Sequence, residues 1–248
     1  MGWREKSAFP GLQGLSGTIL ISLPLGSMKS VWRQSHSLLR LYWELEGQSR
    51  QTLSGVFLYV MVIILVTSYL FGAPEGKVWL GVFWMILLFS AVNVGVLSFV
   101  QETGGRRWYY YQLAEPVAVY LAKVAYIFIL LLLVSMMTVL LLGMFYGWPF
   151  QQPGYLISAI LLASLGLAFL FGFLAAIGSQ ARNSATLSTV ISFPLLIGLT
   201  MLASKVSEAS LLTSFSGELL NMDYLMFIGL DLMIGGLGVL LFAYIWRD

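Results

Sequence analysis

The sequence predicts an all-α polytopic membrane protein, with six transmembrane helices preceded by an N-terminal amphipathic interfacial helix. Three observations carry the expectation. Of 248 residues, 59% are hydrophobic and only 10% are Asp, Glu, Lys or Arg, with a mean hydropathy of +0.88. A soluble domain carries about 25% charged residues, so this chain has too little polar surface to cover itself in water. Apolar runs of the roughly 20 residues that a bilayer crossing needs recur along the chain. Short links rich in Gly, Pro and polar residues separate them. The runs are continuous and about twice the length of a membrane-crossing strand, which argues against a β-barrel.

The elements follow in order. Residues 1–28 read as an irregular extension: Trp3, Arg4, Glu5 and Lys6 lead into a Gly- and Pro-containing stretch, without the unbroken apolar core of a cleavable signal. An overextended start fits this stretch as well as a real extension does. Residues 29–50 have helical periodicity without enough apolar character to span. Val31, Trp32, Leu38, Leu39, Tyr42 and Leu45 form the apolar stripe, and Lys29, Arg33, Arg40, Glu44, Glu46 and Arg50 lie mainly elsewhere. Such a helix rests in the membrane interface or packs as a short cytosolic helix on the bundle.

Residues 51–248 form the transmembrane domain. The first span is Leu53 to Phe71, closed by a turn at Gly72 to Gly76. The second is Val78 to Val100, with Asn93 as its main polar interruption, and a polar loop follows it. The third is Val117 to Phe145, long enough for a tilt or a surface-lying first turn. A link containing Pro149 and Pro153 leads to the fourth, Tyr155 to Ile177. The fifth, Ala185 to Ala203, carries Pro194 as an expected kink. The sixth, Tyr224 to Trp246, follows a polar stretch from Lys205 to Asp223, in which Leu211, Leu212, Phe215, Leu219 and Leu220 could make a short interfacial helix. In this layout Arg4, Lys6, Lys29, Arg33, Arg40, Arg50, Arg106, Arg107, Lys123, Arg182 and Arg247 share one side, leaving Lys77 and Lys205 on the other. The positive-inside rule therefore puts both termini in the cytoplasm.

Charge and motif content narrow the chemistry. A formal charge of +2 gives no bulk attraction for nucleic acid, and the absence of cysteine removes disulfides and thiolate metal sites. There is no phosphate-binding loop, no H-E-x-x-H, and one histidine, His36, without partners for a metal site. The chain reads as a non-catalytic membrane subunit without a visible means of cradling ATP, and its motifs mark no cofactor or metal site.

The loop from Gln101 to Pro116 is the strongest local candidate for function. Gly104 and Gly105 permit a tight reversal, and Arg106 with Arg107 offers a basic contact. Trp108, Tyr109, Tyr110 and Tyr111 make an aromatic block, flanked by Glu102 and Glu115. A cytoplasmic loop with an aromatic belt would look similar if it served only as an anchor. The flanking acids favour a docking surface. Three polar residues stand within spans: Asn93, Lys123 and Asp231. Lys123 can snorkel to the surface. Asp231 is about two turns into the sixth span, where its short side chain is expected to face the bundle interior or a polar pathway. A span beginning two or three residues later would make it an ordinary boundary residue. The small residues Gly166, Gly172, Ala175, Ala176 and Gly178 fit close helix approach better than ligand binding.

The order of elements, and the stretch Gln101-Glu102-Thr103-x-Gly105-Arg106 followed by Tyr109-Tyr110-Tyr111-x-Leu113-Ala114-x-Pro116 and Leu121-Ala122-Lys123, resembles the CcmB family, haem exporter protein B, from about Lys29 to the C-terminus. The resemblance implies an ABC transporter permease of cytochrome c maturation in a bacterial or organellar inner membrane. Its partners would be a CcmA-like ATPase, which binds ATP, and CcmC-like and CcmE-like haem-handling proteins. ATP use would either release the haem-loaded chaperone or move haem as cargo, and Glu102 to Pro116 would be the coupling element seated on the ATPase. The eight Trp residues are scattered, without a haem-binding cluster. Two other readings share the hydrophobic layout: an ABC permease for a lipid-linked sugar or a drug, and a non-transport scaffold for membrane assembly.

Overall fold

The computed structural model describes residues 34–40, 51–72, 74, 76–100, 116–178, 184–212 and 217–245. Among them every regular element is helical. A first helix, α1, covers 34–40. Six long helices follow: α2 (Gln51–Phe71), α3 (Lys77–Val100), α4 (Pro116–Tyr146), α5 (Pro153–Gly178), α6 (Ser184–Glu208) and α7 (Gly217–Ile245), with a 3-10 turn at Ala209–Leu211 after α6.

The segments Val117–Tyr146 in α4, Pro153–Leu174 in α5 and Met222–Leu240 in α7 are long and apolar enough to cross a membrane. Phe57–Leu70 in α2 and Lys77–Asn93 in α3 are shorter apolar helices. The molecule is thus a helical membrane protein. Its outward residues agree with a lipid surroundings: Leu58, Tyr69, Met136, Met144, Met201 and Leu240 are all more than 60% exposed, an apolar exterior that water does not favour.

The breaks between helices have local causes. Gly72 and Gly76 both have positive φ, 70° and 52°, and these left-handed residues reverse the chain between α2 and α3. Gly147, with φ of 80°, does the same after α4 and lays the Trp148 indole across Gly143 of the helix just left. Pro153 opens α5 at a helix start, where its missing N–H costs nothing. Pro194 lies inside α6, which runs through it as continuous helix.

Two helices exceed their apolar segments. The helix α6 continues past Lys205 to Glu208, and α7 begins at Gly217, ahead of Tyr224. The polar stretch expected to separate the last two spans is therefore helical at both of its ends. Helical hydrogen bonds are made within the segment, so polarity ends the apolar run without ending the helix.

One end of the bundle gathers the C-termini of α2, α4 and α6 with the N-termini of α3, α5 and α7. Tyr146 on α4 donates to the Ile64 carbonyl of α2 at 2.6 Å and shares a 2.9 Å bond with Ser68. Trp84 on α3 donates to Ser207 on α6 at 2.9 Å. The backbone N–H groups of Gln151 and Gln152 both reach the Ser210 carbonyl. Ser158 on α5 is bonded to Tyr224 on α7. At the rim Lys77 pairs with Glu208 at 3.1 Å. Successive long helices therefore run in opposite directions. At the other end, Ser35 of α1 donates to the Ala118 carbonyl near the start of α4 at 3.2 Å, and Leu38 and Leu39 pack on the core.

Candidate functional site

The helices α5 and α7 both start at the tied end, so they run parallel. Their register is constant. Ser158 bonds Tyr224, 66 residues on; Phe169 packs on Gly235; Gly172 and Gly238 both meet Tyr120 of α4. A side chain on any of these glycines would strike a ring. The Cβ of Gly172 would fall 2.7 Å from Val124 Cγ2 and 3.0 Å from Tyr120 Cε2. Small residues let backbones approach, and in lipid that close packing replaces a hydrophobic driving force.

Asp231 lies midway along α7 within this seam, 2% exposed. A Cβ built on Gly166 of α5 would land on Asp231 Oδ1, and 2.8 Å from Leu199 Cδ2 of α6. The carboxyl therefore occupies the junction of α5, α6 and α7, filling the hollow that Gly166 leaves. Neither of its oxygens has a hydrogen-bond partner. Several turns of α7 precede Asp231.

The other intramembrane candidates lie elsewhere. Lys123 on α4 is 5% exposed, one turn from Tyr120, so it is enclosed by the bundle and does not snorkel outward. Asn93 is on the exposed side of α3. It contributes nothing to an interior polar track. Leu199, which touches the Asp231 junction, also lines a cavity of about 10 Å³ with Trp84, Leu87, Ala163, Leu167 and Thr200. Its lining is almost wholly apolar, so it offers a water molecule few partners.

The loop candidates Glu102, Gly105, Arg106, Arg107, Tyr109, Tyr110, Tyr111 and Glu115 lie outside the described residues, as does most of the 29–50 segment. Pro116 is the first residue of α4. Among the described residues no group of His, Asp or Glu is arranged to hold a metal ion.

Sequence reasoning identified Asp231 as a deep acid and Gly166 as a packing residue, but it did not pair them. Two residues so far apart along the chain carry no local signal of contact. The fold and site define a class, a helical membrane protein with an enclosed carboxyl at a three-helix junction. No family model matches the chain, and neither a curated protein nor a solved structure does.

Proposed function

We propose that this chain is the membrane-spanning permease subunit of an ABC-type complex of cytochrome c maturation, with six spans and both termini in the cytoplasm of a bacterial or organellar inner membrane. It hydrolyses no ATP itself. A separate CcmA-like ATPase binds at the 101–116 loop, and α3 and α4, which that loop joins, carry its movement into the bundle. The work serves haem handling with CcmC-like and CcmE-like partners, either as haem export or as release of the haem chaperone.

The observation that supports this reading best is where the polar segments emerge. Six long antiparallel helices have one end fastened by hydrogen bonds. The α3–α4 connection leaves from the opposite end, where α1 packs beside Ala118. An ATPase docked there would push on the end opposite those fastenings, and the tied end would act as the pivot. The basic residues of the sequence concentrate on that same docking side.

The test is a pull-down of the CcmA-like ATPase by the full chain carrying Arg106→Glu and Arg107→Glu. Association is expected to fall while membrane insertion is unchanged. Undiminished association removes the coupling role from this pair.

A further inference from the structure

The Asp231 carboxyl is enclosed by the bundle. Its surroundings at the junction are the Gly166 hollow on α5 and the Leu199 side chain on α6. No hydrogen bond reaches either oxygen. An ionised carboxylate taken out of water and left without hydrogen-bond donors is strongly destabilising, and acids within membrane spans mark ion or proton routes.

The occupant follows from the ligand count. A calcium ion takes 6–8 oxygen ligands and magnesium about six, whereas the junction offers one carboxyl, and no metal-holding group of acids and histidines exists among the described residues. A proton needs only one oxygen. The titratable groups of the packed helices are placed as follows. On α5 the residue is Tyr155, and on α6 they are Lys205 and Glu208, all near the tied end. On α4 they are Tyr120, at the level of Gly238, with Lys123 and Tyr126 in the next turns. On α7 itself, Asp223 and Tyr224 are about two turns away and Glu218 and Tyr244 more than three, while Tyr146 of α4 is at the tied end. At the junction α5 and α6 present Gly166 and Leu199.

We propose that Asp231, seated in the Gly166 hollow, is a proton-binding site that keeps its proton while α5, α6 and α7 are closed together and exchanges it only when they part enough to admit water. Loading forms an O–H bond on one carboxylate oxygen with a proton delivered by hydronium, leaving water. Unloading breaks that bond and returns the proton to a water molecule. The carboxylate left behind needs hydration, which holds the junction open. Proton occupancy and helix closure are thereby linked, each favouring the other.

This inference rests on the chain being membrane-embedded and not on its having an ATPase partner, so the test uses the full chain alone in liposomes. Dicyclohexylcarbodiimide, an apolar reagent, adds to protonated carboxyls in lipid, and peptide mass spectrometry locates the adduct. Asp231 is expected to be modified at low pH, with the modified fraction falling about tenfold per pH unit above the midpoint. Asp231→Glu keeps the reaction and Asp231→Asn abolishes it. Because Asn resembles the neutral acid in shape, the Asn variant is expected to melt close to the parent, which shows that lost labelling is not lost folding. Gly166→Ala, which drives a methyl onto the carboxyl, is expected to change the rate or midpoint of labelling. An Asp231 that stays unmodified at every pH, or is modified equally at all of them, overturns the proposal. So does protection by sodium or potassium at fixed low pH, which would make the occupant a metal cation. A failed ATPase pull-down leaves all of these outcomes unaffected.

Discussion

The tied end of the bundle and its middle treat buried polar groups in opposite ways. At the tied end the side-chain hydroxyls of Ser68, Tyr146, Ser158, Ser207, Ser210 and Tyr224 and the indole of Trp84 are in hydrogen bonds. The exception is Trp79, whose N–H has no acceptor although its ring meets Phe150 edge-on at 4.8 Å. In the middle, Ser135 and Thr138 satisfy themselves on their own helix. Ser90, Ser164 and both oxygens of Asp231 have no partner. The difference teaches that the two regions are held by different forces. Interhelical hydrogen bonds fix the tied end, and close backbone approach at glycine fixes the middle. A carboxyl that contributes no bond to the middle is better explained by use than by stability.

The comparison breaks most readily at the glycine seam. Gly172→Leu places a branched side chain where even a Cβ would be 2.7 Å from Val124 Cγ2. Overpacking of this kind costs about 2–3 kcal/mol, and thermal melting in detergent should register it as the largest single loss among the variants considered. A seam that absorbs leucine without loss would mean that glycine contact is not what holds the middle.

The tied end should respond less. Trp84→Phe keeps an aromatic ring edge-on to Phe83 but removes the donor to Ser207. Interhelical hydrogen bonds within membranes are worth about 0.6 kcal/mol on average and at most about 1.7. A double-mutant cycle with Ser207→Ala separates the bond from the packing. A coupling above about 2 kcal/mol would rank the hydrogen bonds over the glycine seam and reverse the comparison.

The helix order and most helix ends were legible in the sequence, because apolar runs stopped at links whose glycines need positive φ or whose prolines open a helix. Gly72, Gly76, Gly147 and Pro153 are those residues. The start of α7 was not legible. Glu218, Asn221 and Asp223 reduce hydropathy without breaking helical hydrogen bonds, so the helix runs on through them. Asp231 stood out as an acid among apolar neighbours, and Gly166 and Gly172 as packing residues. Their partners did not stand out, because the register between α5 and α7 is set by the assembled bundle. Asn93 resembled Asp231 as a polar interruption and differs only in the face it occupies, and α3 shows too little amphipathic contrast to reveal that face.

The smallest effect belongs to the rim of the tied end. Lys77 and Glu208 pair at 3.1 Å with side chains 77% and 41% exposed. An exposed pair gains little from Coulomb attraction in a high dielectric and loses side-chain entropy, leaving about 0–1 kcal/mol. Lys77→Ala is therefore expected to shift melting less than Trp84→Phe does, although both sit at the same end and both partners are on α6. The gap between them measures where hydrocarbon gives way to water or headgroups. If Lys77→Ala proved the costlier of the two, the pair would lie in a screened, low-dielectric layer. The membrane boundary would then pass outside Lys77, and the tied end would be buried in the bilayer instead of capping it.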